Sequence, residues 1–324
     1  VRVRPAAADG GGLRRARGVL TRSVPRLTGA LIVVWGAATL AFLLLHVIPG
    51  DPVNIMLGVQ SNASEVTRER IRHDLGLDLP IAAQYVAYLG RLASLDLGTS
   101  YRLQQPVTTV IGAQLVPTIQ LAAASVAVAL GIALLIALGA RSGPARRVAS
   151  VGELVAISSP TFWTGLLLLT VFSFQLHWFP ISSGLGVEGL VLPAITLALP
   201  IAGILSQVIR HGLDGASAQP FVDSARARGL TDVQLLRRHT LRHAALPPVT
   251  LAAYIVGSLL GGAVIVEQLF GRPGVGRVTL EAINNRDIPV VMALVVLAAV
   301  VFVVVNLIVD LLYPVLDPRL RGHR

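Results

Sequence analysis

QPFVDSARARGLTDVQLLRRHTLRHAALPPV, residues Gln219 to Val249, is a polar segment set between two apolar runs, Leu190 to Ile209 and Leu246 to Val266. It is too long for a simple turn, and its composition is helical on both sides of Gly229. Phe221 to Arg228 supplies two turns that end on a glycine just past the helix, where a left-handed residue satisfies the last carbonyls. Thr231 and Gln234 then form an S/T-x-x-E/Q pair whose side chains cap each other's backbone N–H, so a second helix starts there. The reading is two short helices joined at Gly229; the plainer alternative is an arginine-rich loop with helical propensity.

The flanking runs are two of six. Leu27 to Ile48, Thr118 to Ala140, Val151 to Phe174, Leu190 to Ile209, Leu246 to Val266 and Val290 to Leu312 each hold about 20 residues or more with few or no charges, the length a ~30 Å hydrocarbon core requires. Only helices or closed barrels satisfy the backbone in lipid, and these runs lack the alternation of barrel strands. They predict an all-α membrane protein with six transmembrane helices. Composition agrees: 54% of the 324 residues are hydrophobic and 14% charged, against roughly 25% charged in a soluble domain, and the mean hydropathy is +0.71. The first run is longer than a signal-peptide core, and no small-x-small site precedes its exit at His46-Val47-Ile48-Pro49, so it reads as a retained helix.

Six crossings put both termini on one side. Nineteen of the 27 arginines fall in the N-terminal arm, the turn Arg141 to Arg147, the loop Arg210 to His243 and the C-terminal tail, which the positive-inside rule makes cytoplasmic. The order is then a cytoplasmic arm (1–26), helix 1 (27–48), an external segment (50–116), helix 2 (118–140), helix 3 (151–174), helix 4 (190–209), a cytoplasmic loop (210–245), helix 5 (246–266), an external loop (267–289), helix 6 (290–312) and a cytoplasmic tail (313–324). Glu65 and Ser183 are expected outside. The arm up to about Arg17, rich in Ala, Gly and Arg, reads as a flexible tail that touches anionic lipid. In the external segment Ile71, Leu75, Tyr85, Leu89 and Leu92 supply an apolar face for short helices on the membrane surface. Since roughly 65 structureless residues would be an unusual connection, an ordered cap that docks a partner is preferred to a solvated loop.

All 27 basic residues are arginine, and the chain has neither lysine nor cysteine. That excludes a Walker A loop, a Schiff-base lysine and a Ser-Lys hydrolase. It also excludes disulfides, thiolate-bound zinc and thiol nucleophiles. If ATP drives this protein, another chain binds it. The net charge of +10 invites a nucleic-acid reading, but the arginines flank apolar runs, so topology explains them and no nucleic-acid partner is expected. Gly184, Gly186 and Gly189 satisfy G-x-G-x-x-G with no strand before them. Histidines such as His73, His177 and His211 lack metal-ligand spacing, and no metal is expected. Gly257 and Gly261 permit a close helix approach. Asn306 and Asp310 share a face of helix 6, with Asp310 near enough to the end to snorkel or pair with the tail arginines. No catalytic residue is assigned: an intramembrane hydrolase needs a nucleophile–base pair, and no histidine or lysine lies at mid-membrane depth.

The segment quoted first resembles the EAA loop of the membrane subunits of binding-protein-dependent ABC importers. Asp223-Ser224-Ala225 stands where the family has Glu-Ala-Ala, and Gly229 falls at the family's glycine. The downstream Leu-Pro of the general pattern is Leu241-Arg242 here, with Leu246-Pro247 following, a form common in the peptide-permease branch. Other stretches are similar to the dipeptide/oligopeptide permease family: HVIPGDP (His46 to Pro52), Arg72 to Tyr101, SSPTFWTGLLL (Ser158 to Leu168), LPAITLALP (Leu192 to Pro200), VEQLFGRPGVG (Val266 to Gly276), RDIP (Arg286 to Pro289) and NLIVDLLYPVLDPRLR (Asn306 to Arg321). The likeness covers nearly everything after the first 20 residues, with the motifs in the family's order.

The resemblance implies a type I ABC importer permease (EAA-loop) fold in a multi-pass protein of the plasma (inner) membrane. It implies half of a translocation pathway for di- or oligopeptides, worked by alternating access. The implied partners are a second homologous permease subunit, two ATPase subunits that carry the ATP and Mg, an external solute-binding protein and membrane lipid; this chain itself would hold no cofactor. Phe221, Val222, Asp223, Ser224, Ala225, Arg226, Ala227, Arg228 and Gly229 are then the ATPase-coupling segment. Nickel chelates, glutathione or another small solute are alternative cargoes within the family. A secondary transporter or channel is the other architecture, for which the spans hold too few central charges.

Overall fold

The structure, a computed structural model, describes residues 11–47, 50–51, 53–54, 64–74, 76–140, 142–235, 251, 255, 259 and 263–316, with backbone alone at 11–25, 221, 223, 226, 232–233 and 309–316. In chain order the elements are α1 (Gly11–Val47), α2 (Glu65–Asp74), α3 (Ile81–Ala93), an antiparallel ladder of β1 (Thr99–Ser100) with β2 (Gln105–Pro106), α4 (Val107–Gly139) and α5 (Gly143–Ser158). There follow α6 (Thr161–Leu168), running into a π-helical turn (Leu169–Gln175), α7 (Glu188–Ser217), α8 (Pro220–Ala227), α9 (Asp232–Leu235), α10 (263–269), α11 (Val275–Asn284) and α12 (Ile288–Leu316).

Among the described residues four helical stretches are long and apolar enough to cross a bilayer: Arg26–Val47 of α1, α4, α7, and Ile288–Ile308 of α12. The pair formed by α5 and α6 with its π turn is long and apolar enough only when taken together, and it is bent by 106°. The expected helix 5, Leu246 to Val266, lies outside the described residues except at 251, 255, 259 and 263–266, which are helical. Ile255, Leu259, Ala263 and Val266 are buried there on one stripe. Gly257, Gly261, residues 1–10 of the arm and 317–324 of the tail also lie outside the described residues.

Several boundaries differ from the apolar runs: α5 starts at Gly143 before the run at Val151, α7 continues past Ile209 to Ser217, inside the expected loop, and three further differences have a local reason. The first helix begins at Gly11, inside the arm read as a flexible tail; Leu and Arg are good helix formers, and a helix nucleated by the apolar run propagates into them. The second begins at Val107 and continues through Pro117, because a membrane helix tolerates an internal proline and Val107, Val110 and Ile111 give its early turns a buried face. The expected helix 3, 151–174, is bent at Ser159-Pro160. Proline disfavours the helical conformation of the residue before it, and Ser159 is extended at φ −77°, ψ 128°.

The centre of the bundle is α7, of which 67% of the span is buried against 17% for α1. Leu121, Ser125, Ala129, Ala133 and Ala137 of α4, one per turn and all buried, face the apolar stripe of α7 that includes Leu197, Ile201 and Leu205. Small side chains let the two backbones approach, since lipid supplies no hydrophobic drive between helices and packing must hold them. A second cluster joins Val107 and Ile111 of α4 to Ala282 of α11 and to Val290, Ala293 and Leu294 of α12.

Candidate functional site

Only Ala218 and Gln219 separate α7 from α8, and both are hydrogen-bonded: Ala218 N donates to Asp214 O at 3.1 Å and Val222 N to Gln219 O at 3.0 Å. The end of α8 follows from its sequence. Gly229 has φ +82°, and Leu230 N donates to Ala225 O at 3.3 Å, the long bond of a Schellman end. The capping box is present too: Gln234 N donates to Thr231 Oγ1 at 3.3 Å, and Thr231 N donates to Gln234 Oε1 at 3.1 Å. Val222, Ala225 and Leu235 close an apolar contact between the two helices. Ser224, Ala227, Arg228 and Gly229 are left exposed, while Phe221, Asp223 and Arg226 are placed by the helix backbone. The second half of the segment, 236–249, lies outside the described residues. An exposed ledge pinned by its own small core is suited to docking.

Leading to that ledge, α5 and α7 run antiparallel and meet about once per turn. Arg146 Nη2 donates to Asp214 Oδ2 at 2.8 Å on the exposed side. Arg210 Nη2 donates to Ser150 Oγ at 3.1 Å and to the Glu153 carboxylate, whose Oε1 accepts from Ser206 Oγ at 2.7 Å. Gly203 then lies against Ile157, where a Cβ would stand 3.0 Å from Glu153 O. Glu153 is 2% exposed and Arg210 9%, so the charges meet inside the packing and each needs the other.

A second polar node lies beyond the other end of α7. Glu267 is fully buried; Thr118 Oγ1 donates to its Oε1 at 2.7 Å and Arg277 N to its Oε2 at 3.1 Å. The Thr118 hydroxyl also accepts from Val275 N at 2.8 Å, so two residues from other helices cap the start of α11. Arg272, equally buried, donates through Nη1 to Gly184 O at 3.0 Å, and Ser183 N donates to Phe270 O at 2.8 Å. This stitching leaves Ser183 only 1% exposed.

The described parts of residues 50–106 form a cap on α1. Phe42 meets the rings of His46, Tyr85 and Tyr88 at centroid distances of 4.4, 5.2 and 5.9 Å. The Thr39 and Tyr85 hydroxyls share a bond of 2.7 Å, and His46 Nε2 lies 3.2 Å from Gln84 Oε1. Ile71 is buried, and Tyr85, Leu89 and Leu92 are half-buried, whereas Leu75 lies outside the described residues. Arg72 pairs with Asp51 at 2.6 Å. Ser100 of β1 donates to the carboxylate of Asp287 at the start of α12, fastening the ladder to that helix. A cavity of about 260 Å³ remains between cap and helices, lined among others by Phe42, Leu45, Met292 and Val296 and by the charged Asp74 and Arg91. Burial pushes the Tyr88 phenol up, and burial followed by the Asp74 carboxylate does so for Tyr101, with Arg91 opposing, so both hydroxyls stay protonated near neutral pH.

Among the described residues no three His, Asp or Glu side chains gather as a metal site. Asn306 Nδ2 donates back to Phe302 O at 2.8 Å within its own helix, and the Asp310 side chain is not among those described. Sequence reading overlooked Glu153, Arg210, Thr118, Glu267 and Arg272. Only Glu153 carried a local signal, as the one acid in an otherwise apolar run.

The family described as binding-protein-dependent transport system inner membrane component matches residues 129–322, and the N-terminal family of the same membrane component matches 19–122. A putative peptide transport system permease protein of Brucella abortus (strain 2308) is 36% identical over 91% of this chain and 97% of its own length. The glutathione transport system permease protein GsiC of Salmonella choleraesuis (strain SC-B67) is 33% identical over 94% and 99%. Among solved structures, a chain of an amino acid ABC transporter with histidines aligns at TM-score 0.51 and 20% identity, over 63% of this chain and 92% of that one. A chain of the inward-facing MetNI methionine ABC transporter aligns at 0.51 and 15%, over 62% and 92%. At those identities the likeness is one of fold, the type I importer permease fold. The chain belongs to the binding-protein-dependent transport system inner membrane component family: it is a multi-pass, inner-membrane permease subunit of an ABC importer, which works with ATPase and binding-protein partners and leaves ATP hydrolysis to a separate subunit.

Proposed function

We propose that this chain forms half of a translocation pathway for di- or oligopeptides. It alternates between outward and inward access as two ATPase subunits close on ATP and part after hydrolysis. A second, homologous permease supplies the other half and an external solute-binding protein delivers the cargo. Both termini lie in the cytoplasm, on the arginine-rich side.

The observation that carries this reading is the ledge of α8 and α9, joined through a two-residue corner to the most buried of the described spans. On this reading residues Phe221 to Gly229 sit in a groove of the ATPase, with Asp223 and Gly229 central. Peptide cargo is supported by the Brucella relative, which spans nearly the same length. Glutathione is the second reading, supported by GsiC at 33% identity; it is itself a tripeptide, so both readings ask for a pathway that accepts amide backbones with charged ends.

The test uses the reconstituted complex in proteoliposomes. Asp223→Arg is expected to leave assembly and ATP hydrolysis intact while uptake falls away from hydrolysis. Uptake at the normal rate by this variant would overturn the coupling assignment. Mass spectrometry of the ligand carried by the purified binding protein identifies the cargo; a ligand without peptide bonds would overturn the peptide reading.

A further inference from the structure

The contacts between α5 and α7 form a regular series: Arg146 with Asp214, Ser150 with Arg210, Glu153 with Arg210 and Ser206, and Ile157 with Gly203. Each step moves about one turn back along α7 and one turn forward along α5. The middle of the series is a buried ion pair, and a charge pair in a helix-packed interior is weak support for stability but a strong constraint on register. Beyond it α5 bends into α6, whose Gly165 fits so closely that a Cβ would stand 2.6 Å from Leu269 Cδ2 and 3.1 Å from Thr196 Cγ2. At the other end α7 passes through its hydrogen-bonded corner into α8.

We propose that Glu153 and Arg210 are positioning residues that lock α5 to α7, so that a displacement of α8 moves both helices as one body and reaches the bent α5–α6 pair. The inference rests on α8 being the ATPase-coupling helix. Without the lock, α7 slides or bends against α5, and the force delivered at α8 reaches the bent pair only through contacts such as that of Thr196 with Gly165. The exposed pair Arg146–Asp214 marks the same register without enforcing it, because solvent screens it and the side chains at 45% and 54% exposure keep much of their freedom.

The experiment is carried out on the full complex with its partner permease, ATPases and binding protein in proteoliposomes, reading cargo transported per ATP hydrolysed. The double variant Glu153→Met/Arg210→Met replaces the pair with apolar side chains of similar length, a change that buried ion pairs commonly tolerate. It is expected to assemble, yet to lower transport per ATP by about fivefold or more, the low end of a coupling between distant sites. A mechanical lock should be replaceable by a covalent one. The chain has no cysteine, so Arg146→Cys/Asp214→Cys, joined by a short bifunctional thiol reagent in the methionine background, should restore transport per ATP. Unchanged stoichiometry in the methionine pair, or a loss that the cross-link does not restore, would overturn the proposal. Should the methionine pair fail to assemble, Glu153→Asp, which keeps the charge and shortens its reach, carries the same two readouts. Gly229→Val, run in parallel, separates the two ideas: if it uncouples while the methionine pair does not, the lock alone is wrong, and if it too transports normally, the coupling helix is misassigned.

Discussion

Thr118 and Glu267, 149 residues apart in sequence, meet at 2.7 Å, and the same threonine hydroxyl receives the backbone N–H of Val275. One side chain thus binds α4, the end of α10 and the start of α11 together. Its donor and acceptor capacity are both engaged. Replacing Thr118 by valine keeps the shape and deletes the hydroxyl, leaving a buried carboxylate oxygen and a backbone N–H short of a partner. Thr118→Val is expected to destabilise the subunit by about 1–3 kcal/mol, whereas Thr118→Ser, which keeps the hydroxyl, should cost less. Thermal melts of the complex in lipid nanodiscs measure both; equal melting temperatures for Thr118→Val and the parent would contradict the bonding described.

Gly274 owes its identity to space. Its φ of 173° is extended backbone open to any residue, but a Cβ there would stand 2.1 Å from the Glu267 carboxyl carbon. Gly186, in the loop before α7, has nothing within 4 Å of the same position. Gly274→Ala should therefore lower the yield of folded, assembled complex sharply, by overpacking of about 1–3 kcal/mol or more, while Gly186→Ala stays close to the parent. A tolerated Gly274→Ala would mean that the carboxylate has room the structure does not show.

Much of the fold was legible because the signals are local. Gly229 and the Thr231–Gln234 pair fix α8 and α9 through bonds within a few residues, and both appear as their spacing dictates. Apolar length located the spans but not their ends. Val107 to Val116 of α4 mixes threonine and glutamine with buried valine and isoleucine, and Pro117 looked like a boundary although the helix runs through it. Pro160 was the reverse: a true break, hidden inside a run that reads as one apolar span. Glu153 with Arg210 and Thr118 with Glu267 were illegible as pairs, since their partners lie 57 and 149 residues away and only packing brings them together.

Topology gives a prediction that the structure refines. From the arginine distribution, Glu65 and the loop before α7 are expected outside and the N-terminal arm inside. Ser183 is an unsuitable probe because it is 1% exposed, whereas Leu185 is 67% exposed. Since this chain has no cysteine, Glu65→Cys, Leu185→Cys and Gly12→Cys each introduce its one thiol. An impermeant thiol reagent applied to intact cells should label the first two in this subunit and spare the third. The opposite pattern would reverse the orientation, and with it the placement of α8 beside the ATPase.

The cap built from α2 and α3 is expected to receive the solute-binding protein without choosing its cargo. Its outward face in α2 carries Glu65 and Glu69, one turn apart and both exposed, beside Arg70 and close to the Arg72–Asp51 pair. Mixed, solvent-facing charge of this kind steers encounter and fixes register rather than enclosing a ligand. Asp74 borders the cavity under the cap, so reversal at Glu65 and Glu69 is the cleaner probe of docking. Glu65→Arg/Glu69→Arg should weaken association of the binding protein, and the loss should shrink as salt rises, because exposed charges are screened over ~8–10 Å at physiological ionic strength. Uptake of different cargoes should then fall by one common factor, since each is lost at the same docking step. Association is read by surface binding to nanodisc-held complex across a salt series, and selectivity by competition uptake in proteoliposomes. If the double variant instead altered which cargo is preferred while association stayed unchanged, the cap would belong to the selectivity apparatus and the docking role would fall.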